Sequence, residues 1–158
     1  MSYKRILVPV DGSETSNAGI KEALKLARTE GARLRLVHIV DESAALNMPE
    51  AGYAIDTIIE DLKNNGKMLL AAAHKSVEKT GAKCDTALIE NMGMRVADQI
   101  TAEAIRWRAD IIVIGTHGRR GMKRLLMGSD AEIVVRNTAL PVLLVHEPQP
   151  KARKRARK

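Results

Sequence analysis

The sequence is almost free of aromatic residues and contains a single cysteine. Its 158 residues include no Phe, two Tyr and one Trp, so the core must be aliphatic, which the 45% apolar content allows without disulfides or metals. Cys84 alone cannot form an internal disulfide, which favours a reducing compartment. No apolar run approaches the roughly 20 residues that span a bilayer, and the N-terminal residues show no signal-peptide pattern. These absences predict a soluble, cytoplasmic protein.

The positive charge is concentrated at the C-terminal end of the chain. The net charge is +7, from 26 basic and 19 acidic residues. Residues 151–158, KARKRARK, hold six of the basic residues and none of the acidic ones, so the rest of the chain is close to neutral. We therefore predict one folded domain over residues 1–148, followed by a disordered basic tail over residues 149–158.

Apolar periodicity alternates between strand and helix along the chain. It predicts strands at 5–10, 33–40, 83–90, 111–114 and 141–146, and helices at 14–29, 55–80, 95–106 and 129–137. Ser13 is placed to cap the first helix and Gly31 to end it, whereas Gly66 indicates a bend or a weak turn in the second.

This alternation predicts an α/β fold with a single, doubly wound, five-stranded parallel sheet and helices on both faces. The first and fourth strands have the most continuous apolar runs, which places them at the centre. Right-handed crossovers then give the strand order 3-2-1-4-5. In that order the carboxyl ends of the first and fourth strands flank a topological switch point, where ligands bind in open α/β sheets.

Two glycine-containing segments follow those two strands. The first reads Val-Pro-Val-Asp-Gly-Ser at 8–13, and the second places Gly115 and Gly118 before Gly128 and Ser129. Glycine lets a backbone approach a ligand closely, and the start of a helix at Ser129 attracts phosphate. The second segment also carries basic residues that could screen a polyphosphate, namely Arg119, Arg120, Lys123 and Arg124.

Each of these residues also has a purely structural interpretation. Asp11 and Ser13 are of the types that shape turns and cap helices, and Ser129 with Glu132 matches a capping box. The basic residues could simply be solvated. Convergence on one crevice favours a ligand site, although the chain has neither the Gly-x-x-x-x-Gly-Lys loop nor the Gly-x-Gly-x-x-Gly fingerprint.

The paired segments resemble those of the ATP-binding branch of the universal stress proteins. The matching motifs are Val-Pro-Val-Asp-Gly-Ser at 8–13 and Gly-x-x-Gly-x9-Gly-Ser at 115–129, and the resemblance spans residues 3–146. It implies a Rossmann-like fold of the adenine nucleotide α-hydrolase type with ATP as the bound cofactor. It also implies a homodimer formed by antiparallel pairing of the last strand, Val142 to Val145.

The resemblance further implies a role for each residue of the motifs. Pro9, Val10 and Asp11 would line the adenosine, with Asp11 on the ribose. The backbone of Ile39 would meet the adenine, and Gly115 would face the ribose. The phosphates would lie against the second segment, at Gly118, Arg119, Gly128, Ser129 and the amide of Asp130.

Asp130 departs from the family pattern, which often has a small apolar or hydroxyl residue at this position. A carboxylate that points inward would disfavour phosphate or recruit Mg²⁺. One that points outward would stabilise the helix N-terminus by about 0.3–1 kcal/mol.

The histidines and the cysteine predict neither a catalytic residue nor a metal site. We interpret His117 as a structural part of the glycine-rich loop and His38 as a core or rim residue with its hydrogen bonds satisfied. The spacing of the four histidines does not match a metal site. Cys84, on a predicted edge strand, is interpreted as a small apolar filler.

The function that follows is an ATP-binding regulatory protein of the stress response, in which bound nucleotide alters the surface shown to a partner. One alternative is a slow ATPase or self-phosphorylating enzyme, although no pairing of a catalytic base with a phosphate-loop lysine is visible. Another is a nucleotide-free adaptor whose basic tail binds nucleic acid or an acidic protein. That tail lacks interleaved aromatic side chains for base stacking.

Overall fold

The fold is an alternation of strands and helices in a computed structural model that describes residues 2–43, 54–116 and 128–146. Within those ranges the elements are β1 (Arg5–Pro9), α1 (Glu14–Glu30), β2 (Arg33–Asp41), α2 (Ile55–Glu78), β3 (Cys84–Asn91), α3 (Val96–Trp107), β4 (Ile111–Gly115), α4 (Ser129–Asn137) and β5 (Val142–Val145). Every predicted element is present, and its bounds differ from the prediction by no more than two residues. The predicted tail, residues 149–158, lies outside the described residues.

The strands form one parallel sheet in the order β3-β2-β1-β4-β5, which confirms the predicted α/β architecture. Alternate side chains of the central strand β1 point to opposite faces of the sheet. Ile6 and Val8 pack in the cluster that contains α1 and α2, and Leu7 packs with α3 and α4. Burial on both faces explains why the β1 sequence is a continuous apolar run. None of the described helices combines the length and apolar character needed to cross a bilayer.

Helix α1 begins and ends as the sequence predicts. The Ser13 side chain accepts a hydrogen bond from the backbone N–H of Ser16, and this caps the first turn. Gly31 ends the helix in the left-handed conformation with φ of 63°, which a residue without a Cβ adopts at little cost.

Helix α2 continues through Gly66 without interruption, and this glycine has a packing reason. A Cβ at Gly66 would lie 2.7 Å from Cδ2 of His38 and 2.8 Å from Cδ1 of Leu88. A larger residue here would therefore require the His38 and Leu88 side chains to shift. This contact explains why a residue that costs about 1 kcal/mol of helix propensity stands inside the helix.

A buried ion-pair cluster lies between the sheet and α3. Glu103, which is 2% exposed, accepts hydrogen bonds from Nη1 of Arg35 at 3.0 Å and from Nε of Arg106 at 2.7 Å. Arg35 also pairs with Asp85 and lies over the ring of Trp107, 4.9 Å from its centroid. Burial of the guanidinium favours loss of its proton, but hydrogen bonds and charges from Asp85 and Glu103 outweigh burial and raise the pKa of Arg35.

The half-buried thiol of Cys84 is expected to be unreactive in the folded protein. Burial, followed by the negative charge of Asp85, raises the pKa of Cys84 to about 11 from 9.0. At about pH 8 we expect iodoacetamide to label the native thiol roughly 100-fold more slowly than the thiol unfolded in guanidinium, because the thiolate is the nucleophile. Mass spectrometry of timed samples measures both rates, and similar rates would contradict the prediction. Since the folded state favours the neutral thiol, this contribution to stability is present below pH 9 and is lost as the pH rises through about 11.

Candidate functional site

The predicted switch point lies between the carboxyl ends of β1 and β4. The two strands are neighbours, with Ile6 paired to Ile111 and Leu7 paired to Ile112. After β1 the chain crosses by α1 to β2 on one side, and after β4 it crosses by α4 to β5 on the other. The two crossovers diverge, and this is the topology in which open α/β sheets form a ligand crevice at their strand ends. The two predicted segments therefore begin at the same edge of the sheet.

The turn after β1 holds the carboxylate of Asp11 in a fixed orientation. Strand β1 ends at Pro9, which has no N–H to extend the ladder, and the Val10 N–H makes the next bond, to the Val37 carbonyl at 2.8 Å. Oδ1 of Asp11 accepts hydrogen bonds from the backbone N–H of Ser13 at 3.0 Å and from its hydroxyl at 2.6 Å. The turn-shaping interpretation of Asp11 is confirmed, and the same contacts fix the carboxylate at the crevice.

Gly115, the last residue of β4, is in contact with the first turn of α1. A Cβ at Gly115 would lie 2.7 Å from the carbonyl carbon of Thr15, 2.8 Å from its oxygen and 2.9 Å from its Oγ1. The motif predicts that a ligand approaches this glycine, but it does not predict the contact with Thr15. The available signal was the run of polar residues at the start of the helix, in which Ser13, Thr15 and Ser16 are small. The first turn of α1 is therefore fitted directly onto the end of β4.

The second segment ends at a hydrogen-bonded closure between Thr116 and Gly128. The Gly128 N–H donates to the Thr116 carbonyl at 2.6 Å, and the Thr116 N–H donates to the Val145 carbonyl at 2.9 Å. Oγ1 of Thr116 also lies 3.1 Å from Nδ1 of His146. The start of α4 is thereby fixed beside the ends of β4 and β5.

The predicted capping box at the start of α4 is wrong. Gly128 is the N-cap, with extended φ and ψ of −62° and 148°, and its carbonyl accepts from the Glu132 N–H at 3.0 Å. Ser129 is instead the first helical residue, so its hydroxyl does not act as the cap. The N–H groups of Ser129 and Ala131 precede the first helical hydrogen bond and have no acceptor within the helix.

The other predicted site residues are placed as follows. Ile39 lies near the carboxyl end of β2, opposite Ile89 of β3, and is partly buried on the side of α3 and α4. Asp130 is exposed in the first turn of α4, where a carboxylate favours the helix N-terminus. Gly118 and Arg119 fall outside the described residues, as do His117 and the other basic residues of that segment.

A metal ion at this crevice would need ligands beyond the protein side chains that the structure describes. No group of three or more His, Cys, Asp or Glu residues is placed to hold a metal in residues 2–43, 54–116 and 128–146. This donor set fits Mg²⁺ only in the mode in which one carboxylate, water and substrate phosphates complete the coordination.

Comparisons with known proteins match nearly the whole chain. The Universal stress protein family matches residues 2–146. Universal stress protein MJ0531 of Methanocaldococcus jannaschii is 36% identical over 147 residues, covering 93% of this chain and 84% of that protein.

Two solved structures extend the similarity to three dimensions. The universal stress protein UspA from Lactobacillus plantarum has a TM-score of 0.80 at 25% identity, covering 92% of this chain and 99% of that one. The universal stress protein from Archaeoglobus fulgidus in complex with dAMP has a TM-score of 0.62 at 27% identity, with the same coverage of the two chains. This chain therefore belongs to the universal stress protein family.

Proposed function

We propose that this protein binds ATP in the crevice between β1 and β4 and acts as a nucleotide-controlled regulatory protein of the cytoplasmic stress response. The observation that carries the proposal is the packing of Thr15, four residues after Asp11, onto Gly115, whose neighbour Thr116 is hydrogen-bonded to Gly128 at the start of α4. A carboxylate suited to sugar hydroxyls thus lies on one wall and a helix N-terminus suited to phosphate on the other. The dAMP complex of the Archaeoglobus fulgidus relative supports an adenine nucleotide as the ligand.

The adenosine would occupy the side of the crevice formed by β1 and β2. In this arrangement Pro9 and Val10 line the adenosine, Asp11 accepts hydrogen bonds from the ribose, and the backbone of Ile39 meets the adenine. Gly115 lies by the ribose. The fixed orientation of Asp11 supports this assignment, because a pre-oriented carboxylate loses little conformational freedom on binding.

The phosphates would lie at the start of α4. The backbone N–H groups there and the positive end of the helix dipole favour negative charge. We assign Gly118, Arg119, Gly128, Ser129 and the amide of Asp130 to this side. The carboxylate of Asp130 would contribute to Mg²⁺ binding when phosphates supply the remaining ligands.

The direct test is to identify the small molecules that the purified protein carries and to measure its affinity for ATP. Mass spectrometry of the heat-denatured protein should detect ATP. Asp11→Asn should raise the Kd for ATP by about 10-fold or more in calorimetry, since hydrogen bonds to a charged group are worth about 1.5–3 kcal/mol. Glu14→Gln, which changes an exposed carboxylate three residues later in the first turn of α1, is the control and should change the Kd by less than about two-fold. Protein that releases no nucleotide and takes up no ATP would refute the proposal.

We also propose that two copies pair through β5. This strand is at one end of the sheet, and Leu143 on it is 38% exposed, which is unusual for a large apolar side chain on an open edge. Antiparallel pairing of two copies would continue the sheet across a two-fold axis and cover this residue.

Introducing a charge at the proposed interface should separate the copies. Two copies of Leu143→Glu would bring like charges together across the axis, so light scattering at micromolar concentration should show a monomer where the unchanged protein is a dimer. The control is Val135→Glu, which introduces the same charge at a residue that is 40% exposed and lies on α4 instead of on the strand. A Leu143→Glu variant that remains a dimer would exclude this pairing.

A further inference from the structure

A buried histidine on β2 holds the carbonyl group that immediately precedes Asp11. His38 is 8% exposed, and its Nδ1 lies 2.7 Å from the Val10 carbonyl oxygen. A carbonyl oxygen can only accept, so Nδ1 carries the proton and donates it in this hydrogen bond. The tautomer of a histidine outside the motif segments is thus set by a backbone atom of the first motif.

Val10 is the last residue that β2 fixes before the chain turns into the crevice. Its N–H donates to the Val37 carbonyl at 2.8 Å, and its carbonyl receives the His38 side chain. Beyond Val10, the Asp11 N–H donates to the hydroxyl of Ser16, and Gly12 has a positive φ of 82°. The orientation of the peptide between Val10 and Asp11 therefore depends on His38 from the sheet side and on α1 from the other.

The ring of His38 is itself held by the close approach of α2. Besides the 2.7 Å to Cδ2, a Cβ at Gly66 would lie 3.3 Å from Nε2 of His38. A side chain at position 66 would therefore press on the imidazole. Helix α2 thus fixes the ring against the sheet, and the ring fixes the Val10 carbonyl.

We propose that His38 is a positioning residue for nucleotide binding, which orients the Val10–Asp11 peptide so that the Asp11 carboxylate meets the ribose hydroxyls. The inference rests on the proposed binding of ATP in this crevice. Ser13 fixes the rotation of the carboxylate from one side, and His38 fixes the backbone from which the carboxylate projects. His38 thereby influences how the ribose is bound without contacting the nucleotide.

The test compares ATP with 2′,3′-dideoxy-ATP, which lacks both ribose hydroxyls. The unchanged protein should bind ATP at least about 10-fold more tightly than the analogue, because Asp11 would accept hydrogen bonds only from the former. His38→Leu fills the same space without a donor and should reduce this ratio several-fold, by weakening ATP and leaving the analogue unchanged. His38→Asn places its amide nitrogen two bonds from Cβ, as Nδ1 is, and should retain most of the ratio.

The outcomes separate a positioning role from a structural one. Equal weakening of ATP and the analogue in His38→Leu, or an unchanged ratio, would overturn the inference while leaving ATP binding intact. An unchanged protein that binds neither nucleotide would overturn the proposed function itself. If His38→Leu does not fold, as judged by circular dichroism, His38→Gln replaces it, since its amide lies one bond farther out. The inference then requires Asn to retain a higher ratio than Gln, and the reverse order would overturn it.

Discussion

Gly115→Ala is expected to lower the free energy of unfolding by about 3 kcal/mol, the upper end of the usual cost of adding a methyl group to a packed site. The new Cβ would lie 2.7 Å and 2.8 Å from the carbonyl carbon and oxygen of Thr15. These are backbone atoms of a helix turn that Ser13 caps, so they cannot move aside as a flexible side chain would. Urea unfolding followed by the fluorescence of the single tryptophan, Trp107, measures the change.

Gly19→Ala is the matched control, because it adds the same methyl group at the same contact between α1 and β4. Its nearest neighbour would be the Gly115 nitrogen at 3.7 Å, an ordinary van der Waals distance. Replacing a glycine inside a helix should then raise stability by about 0.5–1 kcal/mol. Changes of the same sign in the two variants would show that close contact at Thr15 is not the reason for Gly115.

Glu103→Ala is expected to lower the free energy of unfolding by about 1.5–3 kcal/mol, because it removes a buried carboxylate that accepts hydrogen bonds from two guanidinium groups. The Glu103 side chain is 1% exposed and binds both Arg35 and Arg106. Without it, Asp85 is the remaining anionic partner of the partly buried Arg35 guanidinium among the residues that the structure describes. Because Arg35 lies over Trp107, the folded-state fluorescence should change together with the stability.

Glu132→Ala provides the comparison on α4. Glu132 also pairs with an arginine on its own helix, Arg136 at 3.7 Å, but both side chains are at least half exposed. Exposed pairs of this kind contribute about 0.3–0.5 kcal/mol, so the loss should be near that size. Similar losses from Glu103→Ala and Glu132→Ala would contradict the importance of burial in this cluster.

The architecture could be predicted because it depends on patterns that are local in the sequence. Each strand is a short apolar run, each helix has its own periodicity, and the handedness of crossovers then leaves one order for the strands. The cap at Ser13 and the stop at Gly31 are likewise local, since each depends on the backbone within a few residues.

What could not be predicted depends on contacts between distant parts of the chain. Gly66 and Gly115 have their packing reasons in His38 and Thr15, which belong to other elements. The partnership of Arg35 with Glu103 joins residues 68 positions apart. No window of sequence contains both members of such a pair.

The capping box failed for a different reason. Ser129 and Glu132 have the correct spacing, but Gly128 takes the N-cap conformation, with its N–H donating to Thr116. The N-cap is therefore Gly128, one residue earlier than the capping-box pattern places it. The first helical residue is Ser129, as predicted.

The closure between Thr116 and Gly128 makes this a natural place to insert a second protein. The 2.6 Å bond brings the two ends of the intervening stretch together, so a guest domain whose own termini are adjacent could be spliced there without pulling β4 away from α4. A circularly permuted fluorescent protein has such termini. Inserted next to Gly128, so that Gly118 and Arg119 are kept, it should convert the proposed binding of nucleotide at the crevice into an optical signal.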